Sequence, residues 1–356
     1  MNSSLEPSKL PESSLVDVSQ LEIRAMLASD ASQFVACLTR CYGDSYPNPL
    51  MYQPESIASA IQQGEMHSVV AVTPQGEVVG HSAFSFDHPH DLIPENGKLF
   101  VDPRYRGHHI SDLLSQKRKI IATNLSLPGY WSACVTNHPF SQHEVIALGG
   151  AEIGLFINGQ PSSVHMEGLH NLDHYRHSIL PFYTSLVEKD SGPVYLPKYH
   201  RPFFEDLLRH TGIQREIISV GQRPQFGAQV IARQSKEGKP TGIRVLQMGD
   251  DLLKQVEIAL GTLQGKNHPV VYIDLPLSDP AVISQIPELE AFGFIWGAWL
   301  PHFLSGGDIL RLQKLNDTNV NDQEIMCARP EGILVRDYVL SEWRRIYSPQ
   351  SKPAID

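Results

Sequence analysis

Cysteine is scarce in this 356-residue chain: there are four, at 37, 41, 134 and 327, and no two stand in Cys-x-x-Cys spacing. A disulfide framework needs more cysteines in a shorter chain, so bridges do not organise this fold. Cys37 and Cys41 stand four apart in an expected helix, where they share a face as reduced, half-buried thiols. Apolar residues never run on for the ~18 positions of a membrane span, so no membrane partner is expected. Positive charge is short as well. Lys and Arg number 29 against 39 Asp and Glu, a net charge of -10. That balance weighs against nucleic acid, whose phosphates draw on clustered basic residues. It leaves room for a small anionic cofactor, which needs only local donors. The opening MNSSLEPSKLPESSLVDVSQ lacks the basic start and apolar stretch of a secretory signal. Residues 1–19 are expected to be a disordered arm, and the protein cytoplasmic.

What is present is an ordinary globular composition long enough for two domains of ~100–200 residues each. Residues 20–190 read β-α-α-β-β-β-α-β-α-β-β. LEIRAML alternates as a strand does, and ASQFVACLTRCYG follows as a helix with Asp30 as its expected N-cap. Pro54 and Gly64 bracket a second helix, and HSVVAVTPQGEVVGHSAFSF reads as a hairpin. GKLFVDP is a strand stopped by Pro103. In the helix after it, Ile110, Leu113, Leu114, Ile120 and Ile121 are expected on the buried side. The polar stretch Glu188–Pro193 marks a break, and residues 193–356 form a second α/β unit. If WGAWLPHF were exposed it would offer a homodimer surface.

The chemistry concentrates in LFVDPRYRGHHISDLL. A strand ends, a tight turn follows, and a helix opens directly. The first N–H groups of a helix have no intrahelical partner and carry the positive end of its dipole. A pyrophosphate placed there accepts several charge-assisted hydrogen bonds. Gly107 removes a side chain where backbone must come close, and Arg106 adds charge beside the loop.

This stretch resembles the acyl-CoA signature of the GCN5-related N-acetyltransferases, in which Arg or Gln opens R/Q-x-x-G-x-G/A. The pattern lands on Arg106-Gly107-His108-His109-Ile110-Ser111, with His109 in place of a Gly and Ser111 in place of Gly or Ala. Asn137 stands after GYWSACVT, where the family often places an Asn against the pantetheine arm, and Ser141 opens the next helix. That helix ends Ala147-Leu148-Gly149-Gly150, like the family's Leu-Gly-Phe end with Gly150 in place of Phe. The resemblance implies a mixed α/β sheet with helices on both faces, acetyl-CoA or another acyl-CoA as cofactor, and a small-molecule or protein amine as acceptor. It implies direct attack by the amine in a ternary complex, with a backbone N–H near Phe100 or Val101 polarising the thioester. The family's Tyr general acid falls here on Val145. Glu144 and His143 are its neighbours, and Glu95 is the candidate base; the competing expectation for both carboxylates is solvated surface charge.

The second unit repeats the order of elements and ends a helix in Ala291-Phe292-Gly293-Phe294, so it resembles a degenerate copy of the first. Asp250 and Asp251 stand where its helix begins and would repel a pyrophosphate. An unrelated α/β cap is the competing expectation. Two further functions stay open: a non-catalytic acyl-CoA sensor or protein-interaction module, and a metal protein using Glu167, His170, His174 and His177 on a helix face or the turn His88-Pro89-His90-Asp91.

Overall fold

The computed structural model describes residues 18–86, 91–164, 176–187, 191–233, 241–264 and 268–348. The first half runs β1 (Glu22–Ala25), α1 (Ala31–Tyr42), α2 (Pro54–Gln62), β2 (Met66–Val72), β3 (Val78–Ser85), β4 (Glu95–Val101), α3 (Ile110–Asn124), β5 (Gly129–Val135), α4 (Phe140–Ala147), β6 (Ala151–Glu152), β7 (Phe156–Gln160) and β8 (His177–Ser185). The sheet order is β1-β2-β3-β4-β5-β8-β6, with β7 also on β8. All neighbours are antiparallel except β4 and β5. Alternation in the strands sends Val70, Val72, Ala83 and Phe100 to α1 and α2. It sends Val69, Ala71 and Val79 to α3 on the other face. This is the order and layering that the family resemblance implies.

The second half runs β9 (Ser191–Tyr195), α5 (Arg201–Thr211), β10 (Gln214–Ile218), β11 (Gln229–Arg233), β12 (Thr241–Gln247), α6 (Leu252–Thr262), β13 (Val270–Pro276), α7 (Val282–Ala291), β14 (Phe294–Leu304), β15 (Gly307–Leu315) and α8 (Pro330–Tyr347). Its larger sheet is β11-β12-β13-β15-β14. The pair β12/β13 is parallel and the rest antiparallel. That is the order and sense of β3-β4-β5-β8-β6, with helices in the same connections. Among the described residues no strand of this sheet corresponds to β1 or β2; a two-stranded parallel pair, β9 and β10, precedes it in the chain.

The first half keeps apolar clusters of its own around α1, α2 and α3, but its later strands share a core with the second half. Trp131, Ile153, Phe182, Trp296, Leu312 and Val339 belong to one apolar cluster. Backbone also joins across the seam: Leu155 N–H donates to Gly297 O and Trp299 N–H to Ile153 O, both at 2.9 Å. Gly154 has no room for a side chain, because a Cβ there would lie 2.1 Å from the Gly297 carbonyl oxygen.

Several expectations need correcting. Trp296 and Trp299 are fully buried, so WGAWLPHF is core and offers no dimer surface. Leu113 and Ile120 are exposed; the buried stripe of α3 is Ile110, Leu114, Arg118 and Ala122, a strict four-residue spacing that includes a charged residue. Cys37 and Cys41 share a face as expected but are wholly buried. Asp30 makes no cap bond; its carboxylate accepts from Arg24 and from Leu27 N–H. Val18–Gln20 form a 3₁₀ turn, so order begins inside the expected arm. Ser191 to Pro193 open a strand rather than belonging to a linker.

Candidate functional site

The site grows out of one broken pairing. β4 and β5 run parallel but share a single rung, Glu95 opposite Trp131. Asn96 Nδ2 donates to Ser132 Oγ at 3.0 Å just beyond it, and from there the strands diverge. Past this point no further ladder pair joins β4 to β5 among the described residues. A bulge on the β3 side adds to the divergence, with Lys98 at a positive φ of 54°. His81, buried in β3, holds that bulge. Its Nδ1 lies 2.8 Å from Lys98 O and its Nε2 2.9 Å from Ser68 Oγ. A carbonyl only accepts, so Nδ1 carries the proton and Ser68 donates to Nε2. Burial pushes the imidazole pKa down to about 3, so His81 stays neutral.

At the wedge's mouth stands the loop between β4 and α3. Asp102 is completely buried, accepts from Arg104 N–H and Nε, and pairs with Arg40. Burial opposes its charge, but the hydrogen bonds from Arg104 and Arg40 hold it below the ordinary aspartate range. Arg106 does not reach out over the loop. Its Nε donates to Val101 O at 3.2 Å, and its charge acts on Cys41 and Tyr42 on the α1 side. Gly107 has φ +80° and open space where a Cβ would go. His108 is half-buried. His109 caps α3 in the left-handed conformation, φ 58° and ψ 25°, a place that glycine fills without strain. Its ring is 85% exposed and turned to Asp112 Oδ2 at 3.0 Å, out of the way of the loop backbone. Ile110 is buried against Gly80, where a Cβ would come within 3.0 Å of it, so Gly80 sets how closely α3 approaches the sheet. Asp112 and Leu113 N–H turn back to the His109 carbonyl, and Ser111 sits half-buried in the first turn.

The two candidate carboxylates lie on opposite faces of the wedge. Glu95 folds along β4 toward Gly97, on the face of Phe100, α1 and α2; a Cβ at Gly97 would be 3.3 Å from its Oε1. Its charge is felt by the desolvated Tyr46 phenol, which burial pushes well up. Tyr46 packs edge-on to Tyr42 at 5.0 Å, and Tyr42 to Phe100 at 6.3 Å. Glu144 lies on the other face, and it is not the surface charge of the competing expectation. Ser115 Oγ donates to it at 2.8 Å and Arg118, nearly fully buried, stands 3.8 Å away. Burial raises its pKa despite both partners. Val145, in the Tyr position, is buried and packs against the backbone at Gly150.

Asn137 and Ser141 sit deeper than a ligand-facing role suggests. Asn137 is 9% exposed. Ser141 is half-buried, with its hydroxyl near the Cys134 thiol. Beside them, Met326 N–H donates to Thr136 O, and Gln142 bonds to Met326 O and Ala328 N–H. The second half thus straps the β5–α4 corner. Sequence reasoning missed His81, Asp102 and Arg118; the signal available was polar residues at strand and helix positions whose neighbours demanded burial.

Of the residues in the metal expectations, His177 and Asp91 are described. His177 opens β8 rather than lying on a helix, while Glu167, His170, His174, His88 and His90 lie outside the described residues. Asp91 is engaged by Arg244. Among the described residues, His200, Glu290 and Glu342 bring ligand atoms within 4.8 Å of one another. Arg345 already lies 3.0 Å from Glu290 and hydrogen-bonds Glu342, so a guanidinium supplies the positive charge there. No helix among the described residues is long and apolar enough to cross a membrane.

No family model matches this chain, and no curated protein does. Among solved structures it is similar to mutant forms of the spermidine/spermine N-acetyltransferase SpeG from Vibrio cholerae, at 16% identity and a TM-score of 0.37 over 47% of this chain and 94% of that one. It is similar to an N-acetyltransferase from Staphylococcus aureus Mu50, at 17% identity and a TM-score of 0.37 over 47% of this chain and 99% of that one. A third is the ribosomal-protein-S5-alanine acetyltransferase from Vibrio fischeri, at 14% identity and a TM-score of 0.36 over 47% and 93%.

Proposed function

We propose that this protein transfers an acetyl or other acyl group from acyl-CoA to an amine, with the cofactor lying in the β4/β5 wedge and its pyrophosphate on the loop Arg106–Ser111. The observation that carries the reading is the single-rung β4/β5 pair opening directly onto a helix N-terminus, with free space in front of Gly107. An open strand edge offers N–H groups to the thioester oxygen and the pantetheine amides, and the helix end offers them to phosphate. In this reading Glu95 takes a proton from the attacking amine on one face. The C–S bond breaks as the C–N bond forms, and the leaving thiolate receives a proton from Glu144 on the other face. Burial suits Glu144 to that role because it keeps the carboxyl protonated to higher pH. The acceptor would be a small molecule or a protein amine.

Calorimetric titration with acetyl-CoA and with CoA is the test: one site per chain is expected. Gly107→Val, which forces a β-branched residue into a left-handed turn at an exposed position, is expected to abolish binding while far-UV circular dichroism is unchanged. Normal binding by that variant would remove the loop from the site. A second reading, an acyl-CoA sensor without turnover, draws on Val145 in place of the Tyr and on Asp112 in the first turn of α3. Binding of acetyl-CoA with no turnover against an amine panel would favour it.

A further inference from the structure

We infer that the second half of the chain positions Glu95, acting through a buried ion pair between Arg244 and Asp91. The inference rests on the acyltransferase reading, in which Glu95 is the base. The β3–β4 connection returns at Asp91, and each residue from there to β4 is held in a different way. Asp91 Oδ1 accepts from Arg244 Nη1 at 2.6 Å, with both side chains 1–2% exposed. Leu92 N–H donates to Phe303 O at 3.0 Å. Ile93 is 1% exposed inside the core shared by the two halves. Pro94 O accepts from Trp131 N–H at 3.2 Å, and Glu95 follows directly. Two of these four anchors, Arg244 and Phe303, belong to the second half.

The anchor on Arg244 is itself anchored. Arg244, Asp274 and Arg311 are register partners across β12, β13 and β15, so they form one rung on one face of the second sheet. Asp274 accepts from Arg311 at 2.7 and 3.0 Å and lies 3.5 Å from Arg244. Arg244 also lies over the Phe303 ring at 5.4 Å. Two cations and two carboxylates make a neutral buried chain that ends on the first half's loop. Leu92 is exposed, and apolar packing of Ile93 alone would hold the loop at the surface of the core. A charge pair at this depth adds direction, because a buried carboxylate held at 2.6 Å by a buried guanidinium has a narrow low-energy seat. A base four residues beyond that seat inherits its precision, and proton transfer is sensitive to shifts of ~1 Å.

The test uses the full chain with Asp91→Asn, which keeps shape and removes the charge, and Arg244→Lys, which keeps charge and removes the planar fork. Hydrogen exchange of residues 91–95, the carbon-13 resonance of the Glu95 carboxyl, and acetyl-CoA affinity are measured together. Expected in both variants are exchange about tenfold faster at Leu92 and Ile93, a displaced Glu95 resonance, and acetyl-CoA affinity within about twofold of the parent, since the loop Arg106–Ser111 lies at the other end of β4. An unmoved Glu95 resonance overturns the inference, as does exchange that rises equally throughout the second half, which marks a structural role only. Failure of the parent protein to bind acetyl-CoA would instead sink the acyltransferase reading, and the two failures read out on different instruments.

Discussion

Five strands of each sheet share order and connections, and within that shared part the parallel pair differs. In the first, the parallel pair β4/β5 has a single rung. In the second, β12/β13 stays in register over four, Thr241–Arg244 against Val271–Asp274. The helix after each strand differs in the same sense. α3 begins behind Gly107 with open space in front; α6 begins behind Asp251, whose carboxylate already accepts from Ala228 N–H and Gln255 Nε2. One unit keeps its wedge open at the cost of unpaired strand edge. The other closes the wedge and uses the freed rung, Arg244–Asp274–Arg311, to grip its neighbour. The same topology therefore serves as a binding site or as a clamp, depending on whether a few residues of strand pairing are broken or made.

The largest effect is expected from breaking the closed unit. Asp274→Ala leaves two buried guanidinium groups without their shared carboxylate, a change worth ~3–5 kcal/mol of stability. Urea unfolding should show a lower midpoint with both halves lost together, because they share one core. Separate transitions would mean that the seam is weaker than its packing implies. A smaller effect is expected at the open unit. His109→Gly relieves a left-handed residue, a gain of about 1 kcal/mol, set against an exposed His–Asp bond worth less than ~0.5 kcal/mol. Thermal unfolding should rise slightly, and acetyl-CoA should bind at least as tightly. Weaker binding would give the His109 ring a direct role at the cofactor.

Much of this comparison was legible in the sequence, and its limits are instructive. Periodicity placed the first half's elements because strands and helices have clear stops, as at Pro103 after a strand and Gly64 after a helix. The signature Arg106–Ser111 placed the loop. Side-chain direction was not legible. Arg106 looked like a phosphate ligand but bends back to Val101 O, since its turn geometry aims it along β4. Glu144 looked like surface charge because nothing local shows that α3 delivers Ser115 and Arg118 against it. β9 and β10 were invisible for a related reason: SGPVY and QREII are strands only because they pair with each other across α5. Long-range partners decided each of these, and one-dimensional patterns carry no long-range information.

The finest comparison sets Glu144 beside Asp102, two carboxylates of the open unit with opposite pH signs. Asp102's folded pKa is depressed, so its contribution is present above the ordinary value of 3.8 and is lost as pH falls through the lower folded value. Glu144's folded pKa is raised, so its contribution is complete below the ordinary 4.5 and is lost as pH rises through the higher folded value. Once ionised, Glu144 works against the fold, whereas Gln would accept the Ser115 hydrogen bond without the desolvated charge. Glu144→Gln should raise the thermal midpoint at pH above the folded pKa, leave it unchanged near pH 4, and abolish any acyl transfer. A purely structural glutamate would show the reverse, with stability lost at that higher pH through the missing Arg118 attraction and turnover intact. If Glu144 is the acid of the proposed reaction, an isosteric amide should outdo it in stability and fail in turnover, and that pairing is what would separate chemistry from packing at this wedge.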